Sequence, residues 1–286
     1  MTRIADLFAG GPTVSFEFYP PKDEETERNF ALALPKLAAT GPAFMSVTYG
    51  ALGSTRERTL QIVLDANAEY PFPTMPHLTC VGHTRADILR LLETYREAGI
   101  DNVLALGGDP PADGSDPGGE FEYAQELVEI VRDAGGFGIA VAAQPELHPR
   151  STDRELDRKY LAAKLALSDF AITNFFWEAA HYVRMMDDLA ALGCEKPVIP
   201  AIFPFINVPA ALRMSQMNAT NVPDDLRGRM EAADGDPKAV RVLGVEVASA
   251  LGAELLEAGA PGLHLITMNR SVSTRGVLDN LGLLQG

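Results

Sequence analysis

The sequence predicts an α/β fold, a single (β/α)8 TIM barrel spanning residues 1–286. Three observations predict it. Eight short apolar runs recur along the chain, with amphipathic helical patterns between them. Strands that alternate with helices pair in parallel. The length, with 47% hydrophobic residues, suffices for one sizeable core. An open doubly wound sheet is the alternative, but it would carry fewer strands.

The first run is TVSFEFYP (13–20). Strand side chains alternate faces, so Val14, Phe16 and Phe18 share one face and Ser15, Glu17 and Tyr19 the other. The apolar face should meet the surrounding helices. Glu17 then projects towards the barrel axis near the C-terminal end of its strand, where barrel enzymes build their sites. FMSVTYG (44–50) and TMPHLTC (74–80) follow, then a helical pattern, ADILRLLETYREAGI (86–100). NVLALGG (102–108) precedes YAQELVEIVRDAGG (123–136), which ends in glycines as a helix stop should. GIAVAAQP (138–145), FAITNFF (170–176), PVIPAIFP (197–204) and GLHLITM (262–268) complete the eight. The 205–261 connection between the last two is long. Its MSQMNATNVPDDL stretch reads as a loop between helices, and a helical pattern runs from about 237 to 258. Such a connection either covers a site at the barrel mouth or decorates the fold.

Composition excludes several partners. Lys and Arg total 24 against 39 Asp and Glu, a net charge of −15 with a pI near 4.7. No basic cluster is present for nucleic-acid phosphates, and an anionic membrane would repel the chain. The acidity reads as solubility. Cys80 and Cys194 form no disulfide framework in a chain this long and fit a reduced compartment. With no long apolar span and no signal-peptide pattern, the expected location is cytoplasmic. The five histidines, His77, His83, His148, His181 and His264, show no metal-ligand spacing, so no metal is expected. No GxSxG elbow, P-loop or GxGxxG occurs; LGGDPPADGSDPGG (106–119) is a glycine-rich loop whose aspartates would repel phosphate.

The strand ends nevertheless deliver polar groups to one place. Glu17, Thr48, His77, Asp109, Gln144, Asn174 and the Asn269–Arg270 pair come from seven strands. Burying so many costs stability unless they are paired or used. Two carboxylates, Glu17 and Asp109, among neutral polar groups suit acid catalysis on a substrate that becomes cationic. A Schiff-base lysine, which an aldolase would need, is absent from all eight runs.

Several stretches together resemble the methylenetetrahydrofolate reductases: VSFEFYPPK, MSVTYGALGSTRERT, PHLTC, ALGGDPP, AAQPELHP, AITNFFW and ITMNR, in that family's order across nearly the whole chain. The resemblance implies a (β/α)8 barrel. It implies reduction of 5,10-methylenetetrahydrofolate to 5-methyltetrahydrofolate by a nicotinamide hydride, in one-carbon metabolism and methionine biosynthesis. NADH is the expected donor, with NADPH left open, and FAD usually intervenes. Glu17 matches the family's acid, which helps protonate the leaving nitrogen as the ring opens to an iminium; a partly apolar strand is expected to raise its pKa. Asp109 matches an aspartate near the pterin and flavin. Asn174 stands where the family usually has glutamine and would meet the pterin edge; Arg270 matches an arginine suited to a folate carboxylate. Thr48, His77, Tyr123, Ala124, His148, Asp157 and Lys164 match positions lining the flavin site.

The departures cluster at that flavin site. Gly107 and Ala163 each replace an arginine, Gln144 replaces a tyrosine and Tyr160 an asparagine. Val208 stands near the position where that family has a phenylalanine that packs on ligand rings. Two lost arginines forfeit charge-assisted bonds worth roughly 1.5–3 kcal/mol each, on the order of a hundredfold or more in affinity. The sequence therefore reads as a flavin-independent variant in which NADH occupies part of the flavin position and FAD is not bound. An ordinary FAD-dependent reductase and a non-catalytic folate-binding barrel are the alternatives.

Overall fold

The computed structural model describes residues 2–49, 56–108 and 118–284. Eight parallel strands close into a barrel in sequence order, with the last hydrogen-bonded back to the first. They are β1 (Thr13–Phe18), β2 (Phe44–Val47), β3 (Thr74–Thr79), β4 (Asn102–Leu106), β5 (Gly138–Ala143), β6 (Phe170–Phe175), β7 (Val198–Ile202) and β8 (Gly262–Ile266). Each lies within one of the expected apolar runs.

The helices are α1 (Ile4–Leu7), α2 (Glu24–Ala38), α3 (Arg56–Glu69), α4 (Arg85–Glu97), α5 (Ala124–Ala134), α6 (Arg154–Ala166), α7 (Ala179–Ala191), α8 (Val208–Met217), α9 (Asp224–Ala233), α10 (Pro237–Glu257) and α11 (Ser271–Asn280). Their starts are written in the sequence. Asp23 and Thr26 form a reciprocal capping box on α2, as Thr84 and Asp87 do on α4. The pattern read as 86–100 stops at Glu97, because Gly99 takes a left-handed φ of +73° just beyond the helix. MSQMNATNVPDDL is helical at both ends, with a loop only over 218–223.

Two apolar layers result. Phe16, Phe18, Val47, Leu78 and Val141 pack between strands and helices, as the alternation in β1 requires. Phe44, Met75, Leu104, Phe170, Ile172 and Ile199 belong to a second cluster that fills the barrel and includes Ile4 of α1. The Ile4 amide donates to Asn102 Oδ1 (3.0 Å), and Asn102 Nδ2 donates to the Thr2 carbonyl (2.8 Å). The N-terminal segment is thereby fixed across the end of the barrel remote from the strand C-termini. The long connection packs back as α8, α9 and α10. A Cβ at Gly244 would fall 1.9 Å from the Phe205 carbonyl oxygen, so α10 reaches the exit of β7 only because that residue is glycine. Among the described residues no helix is long and apolar enough to cross a membrane.

Candidate active site

The site is built on β1 and its two neighbours. Parallel register sets Ser15 against His264 of β8 and Glu17 against Ser46 of β2. Inward side chains on these strands therefore meet. The His264 ring is fully buried, stacked on Phe44 at 5.6 Å. Its Nδ1 lies 2.7 Å from Ser15 Oγ and its Nε2 3.2 Å from Ser46 Oγ. Above it, Glu17 Oε2 is 3.8 Å from His264 Nε2 and 3.6 Å from His77 Nε2 of β3. The Glu17 side chain keeps 20% of its surface exposed and His77 only 8%. The carboxylate looks out of the mouth with two imidazoles behind it.

This arrangement corrects one expectation. Burial pushes the Glu17 carboxyl upward, but the hydrogen bond from His264, with the electrostatic influence of the two imidazoles, outweighs burial and holds it below the ordinary range. The strand environment is apolar on its outer face only; the inner face supplies two rings with N–H groups. Burial also drives His77 down to about 4, with Glu17 opposing the shift. His77 is thus a neutral imidazole at neutral pH, and its Nε2 is buried without a hydrogen-bond partner.

The other expected residues divide. Thr48, half-buried just past β2, has its amide on the Phe18 carbonyl (2.9 Å) and so stands next to β1. Asn174 is turned inward at a register shift between Ile172 and Phe175 in β6. Arg270 is an exposed rim residue, 3.5 Å from Glu25. Asn269 does not face the mouth as expected: it is fully buried, and its amide clasps the Tyr19 backbone at 3.1 and 2.8 Å. Asp109 lies outside the described residues. Val208 is buried at the start of α8 in the cluster holding Trp177 and Phe205.

Further round the barrel, Tyr123 is an exposed residue preceding α5, with Ala124 the first helical residue. Gln144, half-buried after β5, gives its carbonyl to Arg158. His148 is exposed, and its Nδ1 accepts from the Arg150 amide (3.2 Å). Asp157 pairs with Arg158 at 2.7 Å. Lys164 donates to the Ala142 carbonyl (2.7 Å), and burial pushes its pKa down to about 8.

Residues 1–282 match the family model described as methylenetetrahydrofolate reductase. The chain belongs to that family. It is 32% identical to the 5,10-methylenetetrahydrofolate reductase of Pectobacterium carotovorum subsp. carotovorum, covering 98% of this chain and 93% of that one. It is 35% identical to the protein of Arabidopsis thaliana named methylenetetrahydrofolate reductase (NADH) 1, over 99% of this chain but only 50% of the plant protein. Among solved structures, an uncharacterized Clostridium thermocellum protein that binds two copies of 5-methyl-5,6,7,8-tetrahydrofolic acid superimposes with a TM-score of 0.68. It covers 97% of both chains at 13% identity, a likeness of fold.

The FAD that the methylenetetrahydrofolate reductases usually carry is a test of this chain's own residues. The described residues on the β4–β6 side fit it poorly. Gly107 brings no charge; among the described residues a Cβ there would meet only the Ala124 amide nitrogen, at 3.8 Å. Ala163 and Tyr160 are exposed on α6 and uncharged. The Arg158 guanidinium is consumed by the carbonyls of Gln144, Pro145 and Glu146 and by Asp157. Lys164 and Arg150, both near His148, are the cations on this side, with Asp157 opposing any phosphate. The described residues contain no group of three or more His, Cys, Asp or Glu able to hold a metal.

Sequence reasoning missed His264, Arg158 and Asn218. His264 was legible: GLHLITM alternates, so His264 must point inward on the strand that pairs with β1. Arg158 carried no signal, since a helical arginine normally reads as surface.

Proposed function

We propose that this protein reduces 5,10-methylenetetrahydrofolate to 5-methyltetrahydrofolate, taking the hydride directly from NADH without flavin. Family membership and the position of Glu17, held by β1 at the mouth with His77 and His264 behind it, carry the reading. The five-membered ring opens to an iminium cation, the nicotinamide C4–H bond breaks, and its electron pair forms a C–H bond at the iminium carbon. The leaving nitrogen takes a proton.

Glu17 serves both events. Ionised, it stabilises the cation that develops beside it. When a pterin covers its exposed edge, loss of water raises its affinity for a proton, which it then delivers to the nitrogen. Asp109 adds a second negative charge for the cation. Asn174 and Thr48 meet the pterin, and Arg270 on the rim takes a carboxylate of the glutamyl tail. His77, Tyr123, Gln144, His148, Asp157 and Lys164 border the space for the nicotinamide nucleotide. Direct transfer is supported by the missing basic side chains at Gly107 and Ala163 and the internal commitment of Arg158.

The test is NADH oxidation by purified protein with methylenetetrahydrofolate, with and without FAD, after recording the visible spectrum. Colourless protein that turns over unaffected by FAD is the expected result. A yellow protein, or activity only with FAD, replaces direct transfer by flavin-mediated transfer. Tight folate binding without NADH oxidation points to a non-catalytic folate-binding barrel.

A further inference from the structure

Asn174 does not stand alone. Its Oδ1 accepts from the Phe175 backbone N–H at 2.8 Å. Its Nδ2 donates to Asn218 Oδ1 at 2.6 Å, and Asn218 Nδ2 donates to the Met214 carbonyl at 2.9 Å. A backbone N–H can only donate and a backbone carbonyl can only accept. The chain is therefore pinned at both ends, and neither amide can flip without setting like atoms face to face. Asn174 retains one free N–H and one free oxygen lone pair in a fixed order, the pattern that reads an adjacent acceptor and donor on a pterin ring.

Asn218 is itself over-determined. It ends α8, and the chain turns beyond it through Ala219 in a left-handed conformation (φ 52°). The Thr220 amide returns to the Ser215 carbonyl (2.8 Å), closing the helix end. Flanking bonds latch this turn to the barrel top: Trp177 Nε1 to Ser215 Oγ (3.1 Å), Thr220 Oγ1 to the Phe175 carbonyl (3.3 Å), and the Asn221 amide to both Glu146 carboxylate oxygens (3.0 and 3.1 Å).

We infer that Asn218 is a positioning residue for the reaction, supplied by the β7–β8 connection, which fixes the Asn174 amide so that a pterin is read in one orientation. The inference rests on the function proposed above. A glutamine, one methylene longer, would reach the ring by itself; the shorter asparagine is aligned by a second amide.

The experiment compares wild type, Asn174→Ala, Asn218→Ala and the double variant, with KM for methylenetetrahydrofolate, KM for NADH and kcat measured separately. Asn218→Ala is expected to lower kcat/KM for the folate about tenfold, mainly through KM, with KM for NADH unchanged. In the Asn174→Ala background the same change should add nothing. Additive losses, or equal losses in both KM values, overturn the inference. So does wild-type kinetics in Asn218→Ala. Asn218→Ser serves where the alanine variant fails to fold and is held to the same outcomes. A wild type that never reduces the folate overturns the proposed function, and this inference with it.

Discussion

His77 links the stability of the fold to pH in a way that can be isolated. Its folded-state pKa is about 4, against 6.5 for an ordinary histidine. Between those values the unfolded chain binds a proton that the folded one refuses, so stability must fall as pH drops from near 6.5 towards 4. The full effect is about 3 kcal/mol. Most of it, about 2 kcal/mol, appears between roughly pH 7 and pH 5. Glu17 does not obscure the measurement. Its carboxyl is held below the ordinary value of 4.5, so the stability it contributes is present above that pH and is lost only lower down. The perturbation is His77→Asn, which keeps a polar group of similar size and does not titrate. Urea unfolding of both proteins at the two pH values reports the histidine together with the influence its ring exerts on Glu17. The variant should lose about 2 kcal/mol less than wild type on acidification. Equal acid sensitivity would refute the claim that burial holds this imidazole neutral beside Glu17.

Glu17→Gln removes both the charge and the proton from the inner face while keeping the side chain's shape. Turnover should fall by about a hundredfold or more, with the circular dichroism unchanged; wild-type-like turnover would remove Glu17 from the mechanism. Arg158→Leu leaves three backbone carbonyls and the buried Asp157 without their donor. It should cost about 3 kcal/mol in urea unfolding, and a loss below about 1 kcal/mol would show that water replaces the guanidinium there.

The barrel was legible because the period of the pattern is local. Every strand was an apolar run, and the face taken by Phe16 and Phe18 followed from alternation alone. Asp23 and Thr84 cap their helices for equally local reasons, whereas the 86–100 pattern overran the stop at Gly99. The site was legible only to the depth of one strand. Glu17 could be aimed inward from its own neighbours, but the direction of its pKa shift depends on β3 and β8, which are 60 and 247 residues away. Asn269 failed for a related reason. Its sequence position places it at the mouth, whereas a left-handed backbone (φ 53°) turns its amide onto Tyr19. Asn218 lies in a stretch that reads as loop, and nothing local marks it as the partner of Asn174, 44 residues earlier.

Gly107 allows the flavin question to be put to the chain itself. The residue follows β4 directly and lacks the left-handed φ that would bar a side chain. Among the described residues an added Cβ meets only the Ala124 amide nitrogen at 3.8 Å, an ordinary contact, so the backbone at residue 107 accepts a side chain. The added guanidinium would stand beside the first turn of α5, where the helix already favours an anion and disfavours a cation. It is therefore destabilising on its own and stabilising once a pyrophosphate neutralises it. One recovered charge-assisted pair is worth roughly 1.5–3 kcal/mol, which corresponds to a gain of about tenfold to a hundredfold in affinity. Titration of FAD into wild type and Gly107→Arg, followed by flavin fluorescence, measures that gain. If affinity rises while NADH-driven turnover without FAD persists, the missing charge at residue 107 is what separates this chain from flavin. If affinity is unchanged, the substitution is drift and the obstacle lies elsewhere, in the Arg158 guanidinium committed to backbone carbonyls.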